Sequence, residues 1–234
     1  MENALITGAT QGIGRSIAVS FAKQGISMAI CSRNVKDLEL LKKELLSINP
    51  GIQVFAHPAD CSQKPELLEY ARLAQQQLGF IKIIVNNVGM FTPSSILDDA
   101  DDAFQQNINT NLMPAYELYR FFGKAMMAQR SGHIFNICSI AAIELIVNAG
   151  IYSVTKAALY SLSSIMKLEM QAYGVKVTAV LPGSTLTNSW AGTAVPPERF
   201  VLPEDIAAAV LNAYNMSKGA NVDEIVIKPV LGQL

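Results

Sequence analysis

A short apolar strand that runs straight into a glycine-rich turn and then a helix leaves a chain few folds to choose from. Asn3-Ala4-Leu5-Ile6 reads as a buried strand, and Thr7-Gly8-Ala9-Thr10-Gln11-Gly12-Ile13-Gly14 follows at once. From Arg15 the chain carries apolar residues at helical spacing, with Gly25 as a stop. In that setting glycines let backbone N–H groups approach a pyrophosphate at the positive end of the helix. The spacing is G-x-x-x-G-x-G rather than G-x-G-x-x-G. Tight turns also collect glycine, but a position between strand and helix favours a dinucleotide site, with Gly8, Gly12, Ile13 and Gly14 in contact with the cofactor.

The rest of the chain repeats the alternation. Strands are expected at Ser27–Cys31 and near Ile52–Ala56, Lys82–Asn86, His133–Cys138, Val175–Leu181 and Glu224–Lys228. Helices are expected over Lys36–Ser47, Gln63–Leu78, Asp101–Gln129, Tyr152–Tyr173 and Pro203–Tyr214. Several strands are continuous Ile/Val runs, as befits strands covered on both faces. The pattern predicts an α/β, Rossmann-type, doubly wound parallel sheet of seven strands with helices on both faces. At 234 residues it is expected to be a single domain, 1–234, with a short connection at about 188–202 over the substrate side.

Composition narrows the partners. A net charge of −1 gives no electrostatic case for nucleic acid or an anionic membrane. No apolar run approaches the ~18 residues of a membrane span, and the N-terminus lacks the pattern of a signal peptide. Cys31, Cys61 and Cys138 are scattered, so neither a disulfide framework nor a metal site is implied, and a cytoplasmic location is expected.

Two further features point to chemistry. The second strand ends in Ser32-Arg33-Asn34, where an NAD site would want an acid for the ribose 2′-hydroxyl. An arginine suits a 2′-phosphate instead, with Ser32, Asn34 and Thr10 as neutral donors. A solvated arginine at a strand end is the competing reading. Tyr152 and Lys156 lie one helical turn apart, on one face. An ammonium beside a phenol favours the phenolate, so the pair is expected to lower the Tyr152 pKa and to trade a proton with a substrate oxygen. Such a pair also occurs by chance in many helices.

In order along the chain stand Thr7–Gly14, Asp60, Asn86-Asn87-Val88-Gly89, Asn111, Ser139, Tyr152 with Lys156, and Pro182-Gly183 with Thr187. Over nearly the whole chain this resembles the short-chain dehydrogenase/reductase family, in its compact single-domain branch. The resemblance implies NADP(H) as cofactor and a catalytic set of Asn111, Ser139, Tyr152 and Lys156. Tyr152 would protonate a carbonyl oxygen as hydride arrives, and Ser139 would hydrogen-bond that oxygen. Lys156 would bond the nicotinamide ribose, and Asn111 would hold a water linking Lys156 to solvent. Asp60, with Cys61 beside it, would meet the adenine; Asn86 and Gly89 would line the adenosine ribose side. Pro182, Gly183 and Thr187 would pass the nicotinamide. Val88 replaces the family's usual alanine.

The resemblance also implies a small-molecule carbonyl or alcohol substrate and a homotetramer or homodimer built on the apolar helix from Tyr152. Substrate contacts are expected from Met90, Ile140, Glu144, Asn148 and Trp190, with Phe91, Leu145 and Ser184 nearby. Reduction of a compact, apolar ketone or vicinal dicarbonyl is the expected activity. A 3-oxoacyl-carrier-protein reductase, a sepiapterin-type pterin reductase and a non-catalytic NADPH-binding regulator are the alternatives. The tail Leu231-Gly232-Gln233-Leu234 offers no acid to anchor a pterin.

Overall fold

A computed structural model describes residues 2–144, 146 and 148–234. Seven parallel strands form one sheet: β1 (Asn3–Ile6), β2 (Ser27–Ser32), β3 (Val54–Pro58), β4 (Ile83–Asn86), β5 (His133–Ile137), β6 (Lys176–Pro182) and β7 (Glu224–Ile227), in the spatial order β3-β2-β1-β4-β5-β6-β7. The order reverses between β1 and β4. At such a switch point the connections leave to opposite faces and open a crevice beyond the strands' carboxyl ends.

Alternate residues of each strand feed two cores. Ala4 and Ile6 of β1 pack with Ile17 and Phe21 of α1 (Gly12–Lys23), Leu38 and Leu45 of α2 (Val35–Ile48) and Val210 of α7 (Pro203–Tyr214). Leu5, between them, faces the other side. There it meets Leu67 and Tyr70 of α3 (Lys64–Leu78), Leu118 and Phe122 of α5 (Met113–Gln129) and Met166 of α6 (Gly150–Met170). Burial on both faces is why the strands read as unbroken apolar runs. No helix among the described residues is long and apolar enough to cross a membrane.

Two expectations need correction. The third strand starts at Val54, not Ile52, because Asn49 folds Gly51 and Ile52 into a turn: its Oδ1 accepts from Gly51 N (3.0 Å) and its carbonyl from Ile52 N (3.4 Å). The single helix expected over Asp101–Gln129 is interrupted. A short α4 (Ala103–Asn107) passes into a wide π-type turn at Ile108–Leu112 before α5 begins. Pro114 has no N–H for the carbonyl of Thr110, four residues back, so the regular ladder cannot run through this point.

Candidate active site

The glycine-rich turn leaves β1 at the switch point. Gly8 (φ 62°) and Gly12 (φ 53°) take left-handed backbone conformations that side chains disfavour. Neighbouring groups pin the turn to the end of β4. Thr7 Oγ1 accepts from the backbone N–H groups of Asn87 and Val88, both at 3.0 Å. The Asn87 side-chain amide donates to the carbonyls of Thr7 and Gly8, both at 2.9 Å. Gly8, Thr10, Gly12 and Ile13 line a cleft of about 530 Å³ that runs across the carboxyl ends of the strands. Gly14 is buried behind the turn and serves packing rather than ligand contact.

One end of the cleft is polar and cationic. Thr10 Oγ1 donates to Ser32 Oγ at 3.0 Å, and Ser32 and Arg33 line the wall. Arg33 is exposed and forms no ion pair among the described residues. Asn34 is a correction: its Oδ1 accepts from Lys36 N (3.0 Å) and Asp37 N (3.3 Å), so the side chain caps α2 and stands off the cleft. Asp60 and Cys61 line the floor. Asp60 Oδ1 is held by the N–H (2.9 Å) and hydroxyl (2.8 Å) of Ser62. Cys61 Sγ lies 3.5 Å from Cys31 Sγ, and this contact and burial push its thiol well above the usual range.

Asn86 is also displaced from its expected place. Its amide donates to Asn136 Oδ1 at 2.7 Å inside the sheet, tying β4 to β5, and it does not reach the cleft. Its neighbours Asn87, Val88 and Gly89 do.

The other end gathers the groups suited to proton transfer. Ser139 follows β5 in extended conformation, and its Oγ accepts from Ala141 N at 3.1 Å. Tyr152, in the first turn of α6, lies half-buried in the cleft with the Phe91 ring edge-on at 4.9 Å. Lys156 is buried; its Nζ donates to the Ile137 carbonyl at 2.8 Å and stands 5.7 Å from the centre of the Tyr152 ring. Burial lowers the Lys156 pKa to about 8.

The expected lowering of the Tyr152 pKa by Lys156 is not found. Burial pushes the phenol up, the Ser139 hydroxyl pulls it back, and Cys138 adds a smaller upward push. The ammonium sits over the ring face, turned towards a carbonyl, and burial weakens its own charge. Ser139, rather than Lys156, is the group that favours the phenolate.

Asn111 lies in the π-type turn, buried, and its side chain is fully engaged. Its Oδ1 accepts from Met90 N (2.8 Å), and its two amide hydrogens are shared among Met90 O (3.1 Å), Asn107 Oδ1 (3.0 Å) and Thr155 Oγ1 (3.2 Å). The side chain therefore fixes the loop after β4 against α6.

On the substrate side, Pro182, Gly183, Ser184 and Thr187 line the cleft together with Met90, Phe91, Ile140 and Trp190. Trp190 also packs edge-on against Phe200 at 5.0 Å. Glu144 does not face the cleft: it pairs with Lys228. Asn148 is exposed and contributes its carbonyl to Ser94 N (3.0 Å), also away from the cleft. Leu145 lies outside the described residues.

Residues that the sequence did not mark also reach the site. Thr110 of the π-type turn lines the cleft, and so do Gln233 and Leu234 of the tail. Gln233 is 49 residues from its partner Ser184, too far for any local pattern to announce it. Asn87 was legible only as one letter of a motif.

The cleft suits a dinucleotide. Its glycines present backbone rather than side chains, an uncompensated guanidinium stands at one end, and Ser139, Tyr152 and Lys156 converge at the other. Residues 2–195 match the family model for short chain dehydrogenases. An uncharacterized oxidoreductase of Staphylococcus aureus strain MRSA252 is 35% identical over 228 residues, 97% of this chain and 96% of that protein. Among solved structures, an alcohol dehydrogenase from the archaeon Thermococcus sibiricus complexed with 5-hydroxy-NADP is 26% identical, with a TM-score of 0.92 over 100% of this chain and 99% of that one. L-sorbose reductase from Gluconobacter frateurii, complexed with NADPH and L-sorbose, is 26% identical with a TM-score of 0.90, over 100% of this chain and 96% of that one. The chain belongs to the short-chain dehydrogenase/reductase family.

Proposed function

We propose that the protein is an NADPH-dependent carbonyl reductase acting on compact, apolar ketones or vicinal dicarbonyls. The observation that carries this reading is the convergence of Ser139, Tyr152 and Lys156 at one end of a cleft whose other end offers Arg33. Gly8, Gly12 and Ile13 would hold the phosphates, Arg33 with Ser32 and Thr10 the 2′-phosphate, and Lys156 the nicotinamide ribose. When bound, the cofactor supplies the hydride. Ser139 orients the carbonyl oxygen and stabilises the charge that grows on it. Tyr152, kept protonated by burial, gives that oxygen its proton.

The apolar lining of Met90, Phe91, Ile140 and Trp190 supports an apolar substrate. Glu144, paired with Lys228, leaves the cleft without an acid at that point. An acyl-carrier partner is less favoured, because Arg130 bonds the Ala172 carbonyl (3.1 Å), the Arg199 Nε is buried, and neither arginine lines the cleft. The three buried free thiols suit a reducing cytoplasm, the compartment we assign; recovery of the chain in a secreted fraction would count against it. We also assign the whole chain to one NADP-binding domain, and limited proteolysis releasing a stable half would refute that.

The test is NADPH oxidation followed in absorbance over a panel of ketones, diketones, keto acids and sugar phosphates. Turnover of apolar ketones, lost in Tyr152→Phe while NADPH still binds, is the expected result. Turnover of anionic substrates alone, or a fully active Tyr152→Phe variant, would overturn the reading.

A further inference from the structure

The tail returns to the carboxyl end of β6 and is fastened there to one residue. Ser184 N donates to Gln233 Oε1 at 2.8 Å, Ser184 Oγ donates to the same oxygen at 3.0 Å, and Leu234 N donates to Ser184 Oγ at 3.1 Å. The Ser184 carbonyl accepts from Val201 N at 3.0 Å, so every polar group of Ser184 is engaged. A backbone N–H can only donate, so the Gln233 atom that faces Ser184 N is the carbonyl oxygen and Nε2 is turned the other way. There Nε2 is buried with no hydrogen-bond partner, against Gly183, where a Cβ would come within 2.4 Å of it. A buried donor without an acceptor carries a desolvation cost. The amide is held in place, against that cost, by the two bonds its oxygen accepts.

What the tail holds is a segment of the cleft. The register of β5 and β6 pairs Ile137 with Val180, which brings Pro182 level with Ser139. Gly183, Ser184, Thr185 and Thr187 continue along the cleft from that point. Three residues after Ser184 the segment reaches the glycine turn: the Thr187 methyl is 3.1 Å from where a Cβ on Gly12 would stand. The stretch from Gly183 to Thr187 thus links the reacting end to the turn proposed to hold the phosphates, the part of the cleft left for the nicotinamide half of the cofactor. We propose that Gln233 is a positioning residue for that half. Its carbonyl oxygen fixes the Ser184 N–H and hydroxyl, and through them the run Gly183–Thr187 against which the nicotinamide is seated. Gln233 itself touches neither cofactor nor substrate. This rests on the carbonyl-reductase reading and deepens it, from the residues that meet the cofactor to one that sets their place.

The test uses the full chain and two ligands, titrated by calorimetry: NADPH, and adenosine 2′,5′-bisphosphate, which carries the 2′-phosphate end and no nicotinamide. Gln233→Met keeps the length and bulk of the side chain over Gly183 and removes the oxygen. It is expected to weaken NADPH about tenfold, the size of the lost hydrogen bonds, and to leave the bisphosphate within about twofold. Ser184→Ala, which removes one of the two donors, should show the same selectivity at about threefold. The two losses should not add in the double variant, because both act through one contact. Equal weakening of the two ligands, no weakening of either, or additive losses would mean that the tail serves the fold alone. Any of these would overturn the inference while leaving the reductase reading intact. An unaltered protein that binds neither ligand would overturn both.

Discussion

The Asn87 side-chain amide occupies the space that a side chain at Gly14 would need. A Cβ on Gly14 would lie 2.4 Å from Asn87 Nδ2 and 2.6 Å from the Gly8 carbonyl oxygen. The same amide bonds the Thr7 and Gly8 carbonyls, so the third glycine of the turn exists to let β4 clamp the first. Gly14→Ala is expected to destabilise the fold by about 1–3 kcal/mol, as overpacking does, and to weaken NADPH binding through the displaced turn. Adding Asn87→Ala should recover only part of the loss, since the Gly8 carbonyl still obstructs. Urea denaturation of the two single variants and the double variant checks this; strict additivity would show that the two positions do not interact.

Arg33 sets the second expectation. Its guanidinium is exposed, unpaired among the described residues and beside the Thr10–Ser32 hydroxyl pair. Charge-assisted bonds to a 2′-phosphate are expected to favour NADPH over NADH by about tenfold to a hundredfold. Arg33→Ala combined with Ser32→Asp is expected to reverse the preference, because the new carboxylate repels a phosphate and accepts from a hydroxyl. Cofactor titration by fluorescence decides it. Equal affinity of the unaltered protein for the two cofactors would remove the phosphate assignment.

Lys156 is expected to make the rate of the proposed carbonyl reduction depend on pH. Its pKa is lowered by burial to about 8, so it is charged below that pH and loses its charge above it. Tyr152 is shifted upwards and keeps its proton over the same range. The value of kcat/KM reports groups of the free enzyme, and it should fall as pH rises through about 8. A profile that stays flat from about pH 6 to about pH 10 would show that the charge on Lys156 does not matter to the step.

Helix α6 turns Leu159, Met166 and Met170 inward but leaves Val154, Ile165 and Leu168 at 47%, 51% and 61% exposure. Tyr116 of α5 is 44% exposed. Apolar side chains on both faces of one helix suit burial against a second copy, and we expect a homodimer or homotetramer. Light scattering that gives the mass of a single chain, 25.3 kDa, would refute this.

The architecture was legible because β-strands buried on both faces and amphipathic helices write different periods into a sequence. The reacting end was legible because Ser139, Tyr152 and Lys156 are few and chemically distinct. Less visible was what backbone geometry decides. Nothing local distinguishes Asn86, which crosses to β5, from Asn87, which clamps the glycine turn; alternation along the strand end sends them opposite ways. Asn34 looked like a phosphate donor and serves as a helix cap, since one short side chain can satisfy only nearby N–H groups. The break at Pro114 was readable in principle, but the apolar pattern on either side masked it. Gln233 could not be read at all, because its partner Ser184 lies 49 residues away in sequence, at the end of the neighbouring strand β6.

His133 supplies a test of the fold itself. It is buried in β5, stacked on Phe135 at 3.9 Å, and its Nε2 is 2.8 Å from Thr178 Oγ1. Thr178 Oγ1 donates its own proton to the Val222 carbonyl at 2.6 Å, so it accepts from His133, which fixes the proton on Nε2. Nδ1 is then a buried nitrogen with no partner, and a second proton there would be stranded. Burial accordingly lowers the His133 pKa from 6.5 to about 3, with Lys176 adding to the effect. The folded state binds fewer protons than the unfolded one between those values, so this contribution is fully present above pH 6.5 and is lost as pH falls towards about 3. His133→Phe keeps the stacking and removes the titration, at about 1 kcal/mol near neutral pH for the lost hydrogen bond. Urea midpoints at about pH 7 and about pH 4.5 should therefore fall more for the unaltered protein than for the variant. Equal losses over that interval would mean that His133 is not the group whose protonation weakens the fold.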